Sequence, residues 1–402
     1  MKSTFTNFRI KDKIPCKHHI LIICIFIFFV FPGVKNWFHI HKLAWLYVFV
    51  FSFLMGYLCV PAVRRIATRF NIVDNPGERK VHDNSTALLG GVAVYVAFAS
   101  AIIYTNAYSL ELKGVAVGAT IVFIAGLIDD IVCLRARLKL FVQIIAVSIM
   151  MYYGVVADFL PNVWWGKTLE IIITFVWMLG ITNSLNFFDG MDGLAAGLTV
   201  ICSVFLSILA IQTHQPYVMI LSIALAGSCL GFFPFNLRYR KPALIFLGDA
   251  GSTFMGFILA GMIIMGDWGS REPIKAYAMP ILIMGIFIFD MTYTTISRIV
   301  TKKVVNFREW LEFTGKDHLH HRLTSLGLSA KQTAFFIYFL TASLGMSALV
   351  LRDGNVVDAV LLLIQAAFIY LIIVVLMLRG ILTNRRQEDK LKKQEENRTH
   401  FI

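Results

Sequence analysis

The sequence predicts an all-α polytopic membrane protein, and three observations carry that prediction. Of 402 residues, 58% are hydrophobic and 15% charged, with a mean hydropathy of +0.73. A soluble domain is nearer about 45–50% apolar and about 25% charged. Apolar blocks recur from residue 20 to residue 380 with no interval the size of a soluble domain between them. Finally, 30 of the 37 Lys and Arg residues collect in alternate connecting segments. One membrane domain follows, although a soluble chain of this length would ordinarily divide.

The spans can be read in order. Apolar stretches lie near 43–63, 88–105, 114–128, 138–157, 169–185, 193–211, 216–235, 243–266, 277–297, 332–351 and 358–378. A helix needs roughly 20 apolar residues to cross about 30 Å of hydrocarbon, so the shorter stretches extend or tilt. Ahead of these eleven, Ile20–Val34 is short and runs into Phe31-Pro32-Gly33. No small-x-small cleavage site follows it, so it is read as an uncleaved first span rather than a signal peptide. The chain therefore divides into a basic N-terminal segment with an extra span (1–42), a membrane domain (43–378) and a charged tail (379–402).

Charge tests this topology. With twelve spans, the segments 1–19, 64–87, 129–139, 186–192, 236–247, 298–331 and 379–402 fall on one side and hold the 30 basic residues; the other side holds seven. Lys and Arg are retained in the cytoplasm, which places both termini there. The net charge of +13 thus reports topology and contact with anionic membrane lipid, not nucleic-acid binding. Six scattered cysteines (Cys16, Cys24, Cys59, Cys133, Cys202, Cys229), without CxxC spacing, are read as apolar filler with no structural disulfide.

Ionisable residues in or beside spans are costly and usually functional. Here they gather at the cytoplasmic helix ends. GLIDDIVCLRARLKLFVQ (126–143) sets Asp129 and Asp130 before Arg135, Arg137 and Lys139, a pattern that suits magnesium or a solvated turn. NSLNFFDGMDGLAAG (183–197) repeats Asn183, Asn186, Asp189 and Asp192 every three residues, which on a helix keeps them near one face. A capped helix break with an Asp-Gly turn is the plainer reading. FLGDAGST (246–253) places Asp249 where a long apolar helix opens, so it is either a ligand or an N-cap. DHLHHRLTSLGLS (317–329) offers His318, His320, His321 and Arg322 for diphosphate, or is a solvated basic loop. Its spacing matches neither HExxH nor a Cys/His zinc site. Arg79, Lys80 and His82 in DNPGERKVHDNSTALLGG (74–91) are candidate substrate contacts. No GxxxxGK[ST] occurs, which disfavours ATP-driven transport.

These segments, in this order, resemble the polyprenyl-phosphate N-acetylhexosamine-1-phosphate transferases. The resemblance covers roughly 43 to 330. It rests on Asp129, Asp130 and Lys139, on NxxNxxDGxDGLA from Asn183 to Ala195, on Phe246 to Ser252, and on HxHHRL from His318 to Leu323. HxHHRL followed by LGLS is similar to the branch that starts O-antigen, common-antigen or teichoic-acid synthesis with UDP-N-acetylglucosamine. The peptidoglycan branch, which takes a muramoyl pentapeptide, tends to an unbroken HHH, a run that Leu319 interrupts here. The basic Arg238, Arg240 and Lys241 depart from the family's more Pro-rich loop.

The resemblance implies transfer of a sugar-1-phosphate from a UDP-sugar to polyprenyl (undecaprenyl) phosphate, releasing UMP, at the cytoplasmic face of a bacterial inner membrane. It gives Asp249 and Asn186 to magnesium, with manganese as the alternative ion. Asp192 and Phe246 go to uracil, and His320, His321 and Arg322 to the diphosphate. Lys80, Lys139, Asn183, Asp189 and His318 join the substrate contacts, and Asp129 beside Asp130 orients or deprotonates the lipid phosphate. Direct displacement and an aspartyl-phosphate intermediate both remain open, as does the oligomeric state, a homodimer included. The rival from another class is an ion-coupled transporter, which predicts inverted repeats and mid-span acids. No repeat is visible, and Asp290 is the acid read as lying within a span rather than at a helix end.

Overall fold

The computed structural model describes residues 16–74, 85–106, 108–268, 273–313 and 315–399; Lys80, with Arg79 and His82, lies outside them. The described chain is helical almost throughout. Helices α1 (Cys16–Val30) and α2 (Pro32–Ile40) precede α3 (Ala44–Arg69). Strands β1 (Val73–Asp74) and β2 (Thr86–Ala87) pair antiparallel, Val73 opposite Ala87. Then come α4 (Gly90–Thr105), α5 (Leu110–Val132), α6 (Ala136–Tyr152), α7 (Trp164–Phe188), α8 (Leu194–Gln212), α9 (Pro216–Asn236) and α10 (Gly248–Met265). The remainder is α11 (Pro273–Ile283), α12 (Gly285–Val300), α13 (Phe307–Glu312), α14 (Leu319–Ser325), α15 (Ala330–Leu351) and α16 (Val356–Thr399).

Every apolar stretch read from the sequence is occupied by helix, which makes this an all-α polytopic membrane protein. Among the described residues, eight helices are individually long and apolar enough to cross a membrane, or up to ten with two bent pairs each taken as one span. The stretch 277–297, expected as one helix, is broken: α11 and α12 meet at 75°. The break lies between Pro280, which lacks a ladder N–H, and Gly285, the residue most costly to hold in a helix after proline. Ile20–Val34 is likewise not one straight span, for the helix turns by 69° between α1 and α2. Pro32 opens α2, and the residue before a proline avoids helical backbone; Phe31 is extended at φ −64°, ψ 129°. At 16 and 17 residues, α4 and α6 are only about 24 and 26 Å long. The charged tail, expected as a solvated helix or a disordered end, continues α16 as helix to Thr399.

Apolar residues cover both sides of the outer bundle helices, one set packed inward and one facing outward. Phe28, Ile172, Val176, Phe339, Phe368 and Leu371 are among the exposed large side chains, as a lipid-facing surface requires. The centre is α10, the most thoroughly buried candidate span, which packs against α4, α5, α7, α8 and α9. Small residues permit this crowding, as they do wherever membrane helices approach closely. A Cβ on Gly91 of α4 would run into the Gly251 backbone of α10, and one on Gly126 of α5 would lie 2.6 Å from Ala250 Cα.

The close approach yields a paired expectation. Gly91→Ala should lower the melting temperature in detergent, since overpacking costs typically about 1–3 kcal/mol. Gly180→Ala in α7, where a Cβ meets nothing within 4 Å, should be neutral or mildly stabilising. Equal melting of the two variants would remove the argument that α10 is held by backbone contact.

Candidate active site

Four helix ends meet at one end of the bundle. Asp129 and Asp130 close α5, Lys139 lies in the first turn of α6, Asn186 lies at the end of α7, and Asp249 lies in the first turn of α10. The Lys139 ammonium joins three of these helices: its Nζ is 2.5 Å from Asp129 Oδ2 and 2.6 Å from Asp249 Oδ2. Asp129 also accepts the Leu134 N–H at 2.6 Å, which shapes the short α5–α6 turn. Asn186 Nδ2 donates to Asp249 Oδ1 at 3.0 Å and to Ser252 Oγ at 2.8 Å. Asp249 is therefore held through both carboxylate oxygens.

Whether Asp249 is a cap is answered by its neighbour. Leu247 stands at the N-cap of α10 without a side-chain bond. Asp130 reaches across from α5 instead, accepting the Asp249 N–H at 2.7 Å and the Ala250 N–H at 3.1 Å. These are the unpaired first-turn donors that every helix presents, and a carboxylate suits the positive end of the helix dipole. Gly248 makes the approach feasible: its φ is +77°, and a Cβ there would sit 2.6 Å from Asp130 Oδ2.

The Asn/Asp repeat diverges instead of sharing one helix face, because α7 ends at Phe188 and the chain turns. Asn183 exchanges amide hydrogen bonds with the buried Gln143, at 2.8 and 3.2 Å, and also donates to Leu179 O. Asp189 takes a backbone hydrogen bond from Gly248. Burial first, then the Asp249 and Asp130 charges, drives its carboxyl well above the ordinary range. Asp192 accepts the Ala243 N–H at 3.0 Å. Phe246 is fixed by its backbone, donating to Ala87 O and accepting from the Gly90 N–H, both at 2.8 Å.

The histidine segment forms α14 and lies against the end of α7. His318 stacks on Phe187 with ring centroids 4.3 Å apart, and His320 Nε2 would be 3.0 Å from a Cβ on Gly190. His320 is 1% exposed, and neither ring nitrogen has a hydrogen-bond partner among the described residues. Burial lowers its pKa well below the ordinary value and lowers that of half-buried His321 in the same sense. Arg322 donates from Nε to Asp317 O at 2.5 Å and from Nη2 to Ser297 Oγ at 2.9 Å. Sequence reasoning missed Asp290, Arg298 and Asp317 as parts of this site. Asp290 binds His318, and Arg298 clamps Asp317. The signal for the first was its position: a buried acid in an apolar helix needs a partner.

The Asp130 cap predicts a stability effect separable from chemistry. Asp130→Ala leaves two first-turn N–H groups unpaired at a buried helix start and should cost about 1–3 kcal/mol. It should melt below Asp249→Ala, measured in detergent without substrate. The reverse order would deny Asp130 its structural part.

Residues 112–267, which hold the Asp129, Asn186 and Asp249 cluster, match glycosyl transferase family 4. The Bacillus subtilis protein named "Probable undecaprenyl-phosphate N-acetylglucosaminyl 1-phosphate transferase" is 32% identical over 314 residues, spanning 77% of this chain and 85% of that one. The decaprenyl-phosphate N-acetylglucosaminephosphotransferase of Mycolicibacterium smegmatis is 30% identical over 326 residues, 73% of this chain and 79% of its own. A phospho-N-acetylmuramoyl-pentapeptide-transferase of Clostridium beijerinckii is 27% identical over 319 residues, 74% and 91%. With identity at that level across most of both chains, and the shared segment centred on the acidic cluster, this chain belongs to glycosyl transferase family 4.

Proposed function

We propose that the chain transfers N-acetylglucosamine-1-phosphate from UDP-N-acetylglucosamine to a polyprenyl phosphate, releasing UMP, as the first membrane step of cell-surface polysaccharide synthesis. The observation that carries this reading is the junction of Asp129, Lys139, Asn186 and Asp249 at helix ends beside the histidine helix. The printed names of the Bacillus and Mycolicibacterium relatives support the same donor sugar and acceptor class.

In the reaction, a phosphate oxygen of the lipid attacks the sugar-bearing phosphorus. The bond from that phosphorus to the bridging oxygen breaks, and UMP leaves with the electron pair. Both reactants are anions, so most of the catalysis is positioning and charge stabilisation. The lipid phosphate has its second pKa near about 6, so Asp129 contributes chiefly by orienting the nucleophile. Lys139 screens the approach of the lipid phosphate to Asp129. Asp192 and Phe246 flank the uracil, and His320, His321 and Arg322 face the diphosphate.

Magnesium fits the donor set at Asp249 and Asn186. Among the described residues no three His, Cys, Asp or Glu form a closed metal cage. Magnesium typically takes one or two carboxylates and completes its shell with water and substrate phosphates. The Lys139 ammonium already marks a place for positive charge between Asp129 and Asp249. Bound at Asp249 and Asn186, the ion would neutralise the diphosphate and polarise its oxygens.

The proposal also covers topology: twelve crossings, a cytoplasmic site and a bacterial plasma membrane. Eight long helices, two bent pairs and the short α4 and α6 together supply twelve. The charge asymmetry supports the cytoplasmic side, and the bacterial relatives support the membrane. Val305, 83% exposed in the loop before α13, provides a handle. Val305→Cys, made with Cys24 and Cys133 replaced, should react with an impermeant maleimide only after the cytoplasmic side is opened.

Activity is tested by UMP release from detergent-solubilised protein given polyprenyl phosphate and magnesium. UDP-N-acetylglucosamine should turn over and the UDP-muramoyl pentapeptide should not. Asp249→Ala and Asn186→Ala should each reduce the rate by about 100-fold or more, the scale on which charge-stabilising groups act. Preference for the pentapeptide would overturn the donor assignment, and near-normal turnover of Asp249→Ala would overturn the metal site.

A further inference from the structure

We propose that Asp290, Arg298 and Asp317 form a positioning network that makes His318 a strut and leaves His320 and His321 as the substrate-facing histidines; the inference rests on the transferase reading above. Asp290 sits on α12 and is 1% exposed. Its Oδ2 lies 2.7 Å from His318 Nδ1, and its Oδ1 accepts the Leu319 N–H at 2.6 Å. One carboxylate thus binds the imidazole and caps the start of α14, where His318 makes no side-chain cap of its own.

Arg298, in the last turn of α12, holds the other side. Its Nε and Nη2 clamp the Asp317 carboxylate at 2.9 and 2.8 Å, and Nη2 lies 3.3 Å from His318 Nε2. A guanidinium has only donors. His318 Nε2 must therefore accept, and the proton sits on Nδ1 facing Asp290. Both ring nitrogens are engaged, and one ring face lies on Phe187. No edge of His318 is left for a phosphate. Burial works against the Asp317 carboxylate, but the Arg298 hydrogen bonds and charge prevail and hold it below the ordinary range.

Residues 320 and 321 differ from 318 in this respect. His320 is buried with neither nitrogen partnered among the described residues, a state that costs free energy unless a ligand group completes it. His321 has its ring 4.1 Å from that of His320 and is half-buried. Arg322 ties the same short helix back to α12 through Ser297. The histidines are therefore placed by α12, the second half of the broken span, through its Asp290, Ser297 and Arg298.

The test uses full-length protein in detergent, with UDP-N-acetylglucosamine, polyprenyl phosphate and magnesium. His318→Asn keeps an amide N–H to donate to Asp290, and His318→Ala does not. Displacement of a catalytic group by roughly an ångström costs on the order of 100-fold in rate. His318→Ala should therefore lose about 100-fold in kcat with KM for the UDP-sugar within about 3-fold, while His318→Asn stays within about 10-fold of wild type. His321→Asn should be as damaging as His321→Ala. Amide exchange over 319–325 should quicken in Asp290→Ala and His318→Ala and stay near wild type in His318→Asn. His318→Asn as inactive as His318→Ala, with exchange unchanged, would make His318 a substrate ligand and overturn the proposal. A wild-type protein that releases no UMP would instead sink the transferase reading, while the exchange comparison still decides whether the network holds α14.

Discussion

The arrangement depends on how many carboxylates one helix junction can hold. Asp129, Asp130, Asp189 and Asp249 converge where α5, α7 and α10 end or begin, and Lys139 is the cation in direct contact with two of them. Two like charges 4 Å apart repel by about 4 kcal/mol at an effective dielectric of 20. A junction of this kind stays assembled only if each acid has its own compensation. The structure supplies four different kinds: an ammonium for Asp129, two helix-start N–H groups for Asp130, a backbone hydrogen bond and a raised pKa for Asp189, and an amide plus the shared ammonium for Asp249. The acids look alike in sequence and are not equivalent in space.

That inequivalence marks the limit of what could be read from the chain. The helical content, the apolar stretches and the segments that carry the site were legible, because lipid forces spanning backbone into helices and makes buried charge rare. Partners were not legible. Asn183 and Asn186 share a spacing and a residue type, yet one pairs with Gln143 and the other with Asp249, since a helix rotates neighbours three apart onto slightly different contacts. The periodicity argument also assumed a helix through Asp192, whereas α7 stops at Phe188. The plainer reading of those residues as a helix break with an Asp-Gly turn described the backbone better.

Asp290 makes the same point from the other direction. In the sequence it was read as an acid within a span, and served only to weigh against a transporter. Its partners His318 and Leu319 lie 28 and 29 positions away, across a loop whose path no local pattern sets. The bend between α11 and α12 was likewise invisible in the hydropathy, because Pro280 and Gly285 are common in membrane helices and do not by themselves dictate a 75° turn.

The segment before α10 shows why the site can be precise without being regular. Non-helical backbone inside a membrane protein has to find every hydrogen bond internally. Here Phe246 N–H donates to Ala87 O, while Phe246 O and Leu247 O accept the N–H groups of Gly90 and Gly91 at the start of α4. Two helix starts are thereby joined through one short stretch, and neither is capped by the side chain of its own N-cap residue. The carbonyls before Asp249 are taken by α4 and the N–H groups at Asp249 and Ala250 by Asp130. With its backbone fixed from both sides, Asp249 need not spend its carboxylate on holding the helix. The carboxylate is left facing Lys139 and Asn186, in contact with groups whose charge and hydrogen bonds can be exchanged for those of a substrate or an ion.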